Sequence, residues 1–316
     1  MRVLILFLCS CHCLAGAIPQ KILLCGVGKN VQGTLSHALC AMEELGSHFS
    51  DYAILLYENN STDRTPLILQ AAAERNPKIV FLSETLTGKQ ISPARTERIA
   101  RARNAVLALA RRSEYRDFRY LLMADLDFDT PWPIEAILET INSEREWDCV
   151  AANGISPDGI YCDRYAFRGE SSPLGPELLG DLWWSELPPS HFRLAEEEHW
   201  IPVYSAFGGL AIYKTESILP FAYSGVVTEE LRQYYRQIVL GLSLQSYPLQ
   251  QYCKQSLRKK FTDIAQIPIQ FRTNTHWEHP PYFRTPTCCE HVPLHASMAL
   301  HGFGKLYVNP KMVFRY

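Results

Sequence analysis

The sequence predicts an α/β fold in which a mostly parallel central sheet is flanked by helices and forms a single domain. Short apolar segments alternate with longer segments whose apolar residues recur every three or four positions, and strands that alternate with helices form parallel sheets. No linker rich in proline, glycine or serine divides the chain. With 316 residues, 47% of them hydrophobic, the chain can bury one large core.

Strands and helices alternate clearly in the first half. The expected strands are the apolar runs Lys21–Val27, Tyr52–Tyr57, Ile79–Leu82 and Tyr120–Ala124. Helical spacing of the apolar residues is found in the intervening segments 30–45, 66–75 and 96–112. Polar clusters follow the second and fourth strands, and ligands of parallel sheets bind beyond the carboxyl ends of the strands. The sequence therefore predicts a site at this edge of the sheet.

The second half is less regular. We expect a strand at Val203–Tyr213, in which a glycine pair allows another backbone to approach closely. A helix within 286–302 and a short last strand at Lys305–Val308 follow. These elements are expected to complete the sheet.

Residues 1–17 have the three parts of a secretory signal peptide: a basic start, the apolar run Val3–Cys9 and the small residues Ala15–Ala17. This predicts export, or residence in the lumen of the secretory pathway. The alternative is that the run is a buried first strand of a cytoplasmic protein. The run is too short to span a bilayer, so we expect at most peripheral membrane association. Removal of residues 1–17 would leave seven of the ten cysteines, whose pairing stays open.

The charge balance argues against a nucleic-acid partner. Lys and Arg number 31 against 33 Asp and Glu, for a formal net charge of -2. General nucleic-acid binders usually carry a clear basic excess.

The acidic pair Asp125 and Asp127 directly follows the fourth strand. Alternation along an extended segment places both carboxylates on one face. Carboxylates are ligands for Mg²⁺ or Mn²⁺, and such an ion could clamp a diphosphate. The alternative is a solvated acidic turn. The position after an apolar strand favours a metal site.

The segment 57–65 follows the second strand and is rich in polar side chains. Glu58, Asn60 and Asp63 could hydrogen-bond a ribose or the edge of a base. Asp63 could instead cap the next helix, which needs no ligand.

A basic helix face carries Arg95, Arg98, Arg101 and Arg103, with Asn104 beside them. Arginine binds diphosphates bidentately, although most charge runs are solvated helix faces. Arg103 and Asn104 are the stronger candidates for a functional role.

His291 and His295 lie four residues apart, so that a helix could place both on one face. The spacing needed for a complete zinc site of cysteines and histidines is absent. One histidine that completes the Asp125–Asp127 metal site is the more economical interpretation, and a structural histidine is the alternative.

Six segments in this order resemble glycosyltransferases of the GT-A type, whose fold is Rossmann-like. They are most similar to the fungal capsule-associated α-1,3-mannosyltransferase family and its microbial relatives. The segments are 57–65, 101–107, 122–128, 158–163, 206–213 and 288–292. The resemblance implies a nucleotide-sugar-binding half at 18–150 and an acceptor-binding half at 151–316.

The resemblance also implies a cofactor, substrates and residue roles. A Mn²⁺ or Mg²⁺ ion would assist transfer of a hexose such as mannose from GDP-mannose or a UDP-sugar to a glycan or another hydroxyl acceptor. Asp125 and Asp127 would hold the metal and the donor diphosphate, with His291 approaching the metal from the far side. Arg103 and Asn104 would bind near the diphosphate. The nucleoside pocket would include Glu58, Asn60 and Asp63, and Glu290 is a candidate acid/base or acceptor-binding group.

Two other interpretations stay open. Phosphatases of the haloacid-dehalogenase type also place Asp-x-Asp after a strand, although this chain has Asp129 where they prefer Thr or Val. A non-catalytic carbohydrate-binding module would keep the sheet and its aromatic residues but would not turn over substrate. The intact acidic pair of Asp125 and Asp127 argues against the carbohydrate-binding module.

Overall fold

Nine strands form one sheet in the residues that the structure, a computed structural model, describes: 17–92, 94–180, 183, 194, 199–272 and 286–316. The strands are β1 (Ile18–Gly28), β2 (Phe49–Asn59), β3 (Ile79–Glu84), β4 (Tyr120–Asp125), β5 (Cys149–Ile155), β6 (Arg168–Gly169), β7 (Ile201–Ser205), β8 (Leu210–Lys214) and β9 (Leu306–Arg315). Residues 1–16 of the expected signal peptide lie outside the described residues.

The helices of the described residues alternate with the strands through the first half of the chain. They are α1 (Leu35–Ser47), α2 (Thr65–Arg75), α3 (Arg95–Ala110), α4 (Ile134–Ile141), α5 (Pro176–Leu179), α6 (Thr215–Ile218), α7 (Glu229–Gly241), α8 (Tyr247–Gln251) and α9 (His291–Leu300). No helix in the described ranges is both long and apolar enough to cross a membrane.

The order of the strands across the sheet is β3-β2-β1-β4-β8-β5-β9-β7-β6. The first four strands of that order are mutually parallel. β8 is antiparallel to both of its neighbours, so β5 and its parallel partner β9 run in the same direction as β4. The prediction of a mostly parallel, single-domain α/β fold is confirmed. Seven of the nine strands of the described residues run in one direction, among them β1 to β5 and β9.

Buried apolar residues lie on both faces of the sheet. Side chains of α1, α2 and α4 pack against one face, and those of α3, α7 and α9 pack against the other. Alternate residues of β1 show the division, because Leu23 and Cys25 belong to one core and Ile22 and Leu24 to the other.

The strand expected at Val203–Tyr213 is two strands, so that prediction is wrong in its continuity. Gly208 and Gly209 have φ values of +68° and +88°, which break the extended backbone between β7 and β8. A Cβ atom at Gly208 would lie 2.2 Å from the carbonyl oxygen of Ala152, so the expected close backbone approach is present. The last strand also extends beyond the predicted segment, to Arg315.

Candidate active site

A cavity of about 1490 Å³ opens at the edge where the parallel strands end. Of the nine side chains predicted for the site, six line it: Asn60, Arg103, Asp125, Asp127, Glu290 and His291. The structure thus brings together residues from β4, from α3 and from the start of α9, which are far apart in the sequence.

Arg103 is the central cation of the site. Its side chain is only 3% exposed, and its Nη2 and Nε atoms lie 2.8 Å from Asp125 Oδ1 and 3.1 Å from Glu290 Oε1. Burial by itself would lower the pKa of Arg103, but the two carboxylates raise it instead. The guanidinium also lies 4.5 Å from the centre of the Phe207 ring. Arg103 therefore stays charged and joins β4 to the start of α9.

Asp125 is the last residue of β4 and Asp127 follows two residues later, so the acidic pair lies at the end of this strand, as the sequence predicts. The backbone N–H of Asp125 donates to the carbonyl oxygen of Gly209 at 2.9 Å, which fixes the end of β4 against the glycine turn. The side chain of Asp127 is exposed to the cavity. Partial loss of the surrounding water, followed by the negative charge of Asp125, raises the pKa of Asp127. A cation near Asp127 would relieve this unfavourable environment.

His291 is buried but has no hydrogen-bond partner on either ring nitrogen. Its ring stacks on Phe207 with centroids 4.0 Å apart, and its Nε2 lies 3.5 Å from Glu290 Oε1. Burial, and then the charge of Arg103, holds the pKa of His291 well below its usual value. The imidazole is therefore neutral and has a lone pair available, as a metal ligand requires.

His295, the alternative histidine, lies in the core. Its Nδ1 is 3.0 Å from Ser205 Oγ and its Nε2 is 3.1 Å from Tyr213 Oη. Burial lowers its pKa to about 3. Because both nitrogens have partners, His295 fits the structural role that the sequence left open.

The described residues contain no group of three or more His, Cys, Asp or Glu side chains placed to hold a metal ion by themselves. Magnesium is commonly bound by one or two carboxylates together with substrate phosphates, so a complete protein cage is not required. The unpartnered nitrogens of His291 and the carboxylate of Asp127, which is exposed to the cavity, fit a partial site of this kind, which the phosphates of a ligand would complete.

The loop after β2 is held by hydrogen bonds within itself and to the segment 30–32 that follows β1. Glu58 accepts from the backbone N–H of Ser61 at 3.3 Å and is 3% exposed. Asp63 accepts from the backbone N–H groups of Gln32 and Thr65, at 3.1 and 2.9 Å. Neither side chain is among those that line the cavity. Their expected contact with a nucleoside stays a prediction. Asp63 lies one residue before the N-cap position of α2, which is Arg64, so its hydrogen bond to Thr65 borders the helix without capping it.

Asn60 and Asn104 both use their side-chain amides on the backbone of another segment. Asn60 has a φ of +53°, donates to the carbonyl oxygen of Leu86 at 2.9 Å and accepts from its N–H at 3.0 Å. Asn104 pairs in the same way with Tyr223, at 2.9 and 2.8 Å. Asn60 lines the cavity, whereas Asn104 connects α3 to the segment before α7.

A basic wall, formed by Lys29, Lys89, Arg95, Arg98 and Arg101, lines the side of the cavity near β1 and β3. Arg101 also pairs with Glu84 at 3.2 Å. The arginines of α3 therefore face the cavity rather than forming only a solvated helix face.

Asp163 and Tyr316 also line the cavity, although the sequence gave no reason to assign either a role. Asp163 Oδ2 accepts from the backbone N–H of Gly208 at 3.1 Å. Burial, together with the charges of Asp125 and Glu290, raises the pKa of Asp163 to about 7 against the effect of that hydrogen bond. The only signal for Asp163 was its place in the segment 158–163, one of the six on which the family resemblance rests.

Comparison with known proteins gives structural similarities only. No family model matches the chain, and no curated protein matches it. The chain is similar to glucosyl-3-phosphoglycerate synthase from Mycobacterium tuberculosis in complex with UDP, with 13% identity over 63% of this chain and 58% of that one, at a TM-score of 0.37. TarS of S. aureus is 14% identical over 65% of this chain and 30% of that one, at a TM-score of 0.38.

A third similar structure is the mannosyltransferase PcManGT from Pyrobaculum calidifontis in complex with GDP-Man and Mn²⁺, with 13% identity over 66% of this chain and 50% of that one, at a TM-score of 0.36. The chain thus covers less than two thirds of the length of each of these three proteins. The likeness lies in the arrangement of strands and helices over part of each chain.

Proposed function

We propose that this chain is a metal-dependent glycosyltransferase that moves a hexose from a nucleotide sugar to a hydroxyl group of a glycan or another acceptor. The observation that carries the proposal is the combination, in one cavity, of a basic wall, an acidic pair at the end of β4 and the buried His291 without hydrogen-bond partners. Each of these features suits one part of a nucleotide sugar or its metal ion.

The basic wall suits the donor diphosphate. Arginine forks form charge-assisted, paired hydrogen bonds with phosphate oxygens, and Arg95 and Arg98 project from α3 into the cavity. Lys29 lies just beyond the end of β1, where ligands of parallel sheets bind. These side chains would bind the diphosphate and stabilise the negative charge that develops on it as it leaves.

Asp125, Asp127 and His291 are the residues that would hold Mn²⁺ or Mg²⁺. When bound, such an ion supplies positive charge opposite the departing diphosphate. Arg103 fixes Asp125 in place and compensates its charge together with that of Glu290. Because Glu290 forms an ion pair with Arg103, we favour a role for Glu290 in positioning Arg103 over a role as an acid/base.

The finer assignments rest on the sequence resemblance. Membership of the fungal capsule-associated mannosyltransferase family and its microbial relatives, with GDP-mannose as donor, is the specific form of the proposal. A UDP-sugar is the other donor to test. The reaction breaks the bond between the anomeric carbon and the phosphate oxygen and forms a bond from that carbon to the acceptor oxygen, while the acceptor releases a proton.

The test is hydrolysis and transfer with a panel of nucleotide sugars, in Mn²⁺, in Mg²⁺ and in EDTA, on residues 18–316. We expect release of one nucleoside diphosphate that depends on the metal. Asp127→Ala should lower the rate at least about a hundredfold, because it removes a proposed metal ligand, and leave the fold intact. Asp129→Asn is the matched control, since the Asp129 side chain is 75% exposed in the same loop.

Two results would contradict the proposal. One is transfer at the wild-type rate by folded Asp127→Ala. The other is a folded wild-type protein that neither binds nor cleaves any donor in the presence of metal. Release of phosphate from simple phosphate esters would then support the phosphatase interpretation, and binding of sugars without turnover would support the carbohydrate-binding module.

A further inference from the structure

The two ends of the cavity differ in charge because different strands supply them. The five side chains of the basic wall belong to the segments after β1 and β3 and to α3. The opposite end is formed by segments after β5, before β8 and at the end of β9. The strand order places β3-β2-β1 on one side of β4 and β5-β9 on the other, so the two ends lie on opposite sides of the acidic pair.

The end near β5 and β9 combines a carboxylate with aromatic rings. Asp163 lies there, held by the N–H of Gly208. Tyr316 and Phe128 pack together with ring centroids 4.4 Å apart, and both line the cavity. Gly154 makes room for this arrangement, because a Cβ atom there would lie 2.6 Å from Tyr316 Cε2.

Charge at this end disfavours an anionic ligand. Asp163 lies close enough to Asp125 and Glu290 for their charges to interact. Arg103, the nearby cation of the site, is already paired with Asp125 and Glu290. Among the described residues that line the cavity near β5 and β9 there is no lysine or arginine. An acidic sugar would therefore meet the Asp163 carboxyl without a described lysine or arginine of this end of the cavity to pair with.

A neutral sugar fits the same surroundings. The hydroxyl groups of a sugar both donate and accept hydrogen bonds, so they can pair with a carboxyl group in its ionised or its protonated form. The apolar face of a pyranose ring can pack on an aromatic side chain, which offers a large, rigid apolar surface and, in tyrosine, a polar end. Binding sites of this type combine a mostly apolar wall with a few precisely placed polar groups.

We propose that Asp163, Tyr316 and Phe128 form the acceptor subsite, and that the acceptor is an uncharged sugar whose hydroxyl groups donate to Asp163. The inference rests on the proposed function, because it names the acceptor of that reaction. It assigns the basic wall to the donor alone and excludes phosphorylated sugars and uronic acids as preferred acceptors.

The experiment measures saccharide binding directly, without a donor. Neutral methyl glycosides are titrated against the protein by NMR, each beside its uronate or 6-phosphate counterpart. We expect at least one neutral glycoside to bind and its charged counterpart to bind at least tenfold more weakly. Asp163→Asn should raise the dissociation constant at least tenfold. Asp158→Asn, the same change at an exposed position of the same loop, should leave it within twofold.

A second variant covers the case in which Asp163→Asn does not fold. Tyr316→Leu removes the aromatic surface and should raise the dissociation constant at least fivefold. The inference fails if no neutral glycoside binds, if the charged counterparts bind equally well, or if both site variants bind like wild type. Saccharide binding by a protein that binds no nucleotide sugar would instead overturn the proposed function and leave the subsite in place as a carbohydrate-binding site.

Discussion

Thr34 Oγ1 donates a 2.6 Å hydrogen bond to the carbonyl oxygen of Leu126, the residue between Asp125 and Asp127. Thr34 immediately precedes α1, whose His37 Nε2 lies 3.0 Å from the carbonyl oxygen of Thr130. The beginning of α1 therefore holds the backbone of the acidic loop at two points. The position of the two carboxylates depends on this contact from another element as well as on β4.

Thr34→Val should weaken metal binding more than it weakens the fold. Valine keeps the shape of the side chain but leaves the carbonyl oxygen of Leu126 without its donor, at a cost of about 1 kcal/mol in the free energy of unfolding. Looser support of Asp125 and Asp127 should raise the Mn²⁺ concentration for half-maximal donor hydrolysis about tenfold.

The controls for this prediction separate support of the loop from general stability. Thr34→Ser keeps the hydroxyl and should restore the metal dependence. Ser50→Ala removes a similar hydrogen bond, to the carbonyl oxygen of Pro19 at 2.7 Å, and should leave the metal dependence unchanged. An unchanged half-maximal Mn²⁺ concentration in Thr34→Val would show that the contact has no part in positioning the loop.

Arg103→Ala should destabilise the protein by about 3–5 kcal/mol, because it leaves the carboxylates of Asp125 and Glu290 without their buried counter-charge. Urea denaturation measures the change. Arg101→Ala is the comparison on the same helix, since Arg101 pairs with Glu84 at a position where its side chain is 45% exposed. Its effect should stay below about 1 kcal/mol. Equal losses in the two variants would contradict a central role for Arg103.

His291→Leu and His295→Leu should separate activity from stability. His291 makes no hydrogen bond through its ring nitrogens, so its replacement removes two unsatisfied polar atoms. The His291→Leu change should leave the free energy of unfolding unchanged, or raise it by about 1 kcal/mol, while the rate of transfer falls at least about a hundredfold. His295→Leu leaves the buried hydroxyl groups of Ser205 and Tyr213 without their partner. It should lower the free energy of unfolding by about 1–3 kcal/mol for each hydroxyl group. Paired urea denaturation and transfer assays test this, and a large loss of stability in His291→Leu would be the contrary result.

The pH dependence of stability should report on Asp163. In the unfolded chain its carboxyl loses its proton near the ordinary pKa of 3.8, and in the folded protein near a pKa of about 7. Between these values the folded state holds the additional proton, so its free energy of unfolding falls as the pH rises, and above about 7 the effect is complete.

Asp163→Asn lacks this titration. The free energy of unfolding of Asp163→Asn, taken relative to that of wild type, should therefore rise by up to roughly 1.4 kcal/mol per pH unit as the pH rises from about 4 to about 7. Chemical denaturation of both proteins at several pH values measures the difference. A difference that is constant across this range would show that burial does not raise the pKa of Asp163.

Local pattern predicted the first half of the fold and the acidic pair, because apolar strands alternate there with helical periodicity and polar clusters follow the second and fourth strands. It did not predict the break between β7 and β8, since the two segments read as one apolar run until their different partners, β9 on one side and β4 and β5 on the other, are known. The hydrogen bond of Asp63 to Gln32 and those of Asn104 to Tyr223 likewise depend on contacts between separate segments. Asp163 owes its place to Gly208, which lies 45 residues later in the chain.

The glycine turn between β7 and β8 sets the distance between the two ends of the cavity. Gly209 accepts from the N–H of Asp125 and Gly208 donates to Asp163, so two adjacent residues set the spacing between the end of β4 and Asp163. Neither glycine can be exchanged without a clash, because their Cβ atoms would lie 2.2 Å from Ala152 and 2.5 Å from Phe314. That spacing is therefore rigid, and any adaptation to a longer or shorter substrate has to come from the side chains around the cavity rather than from its framework.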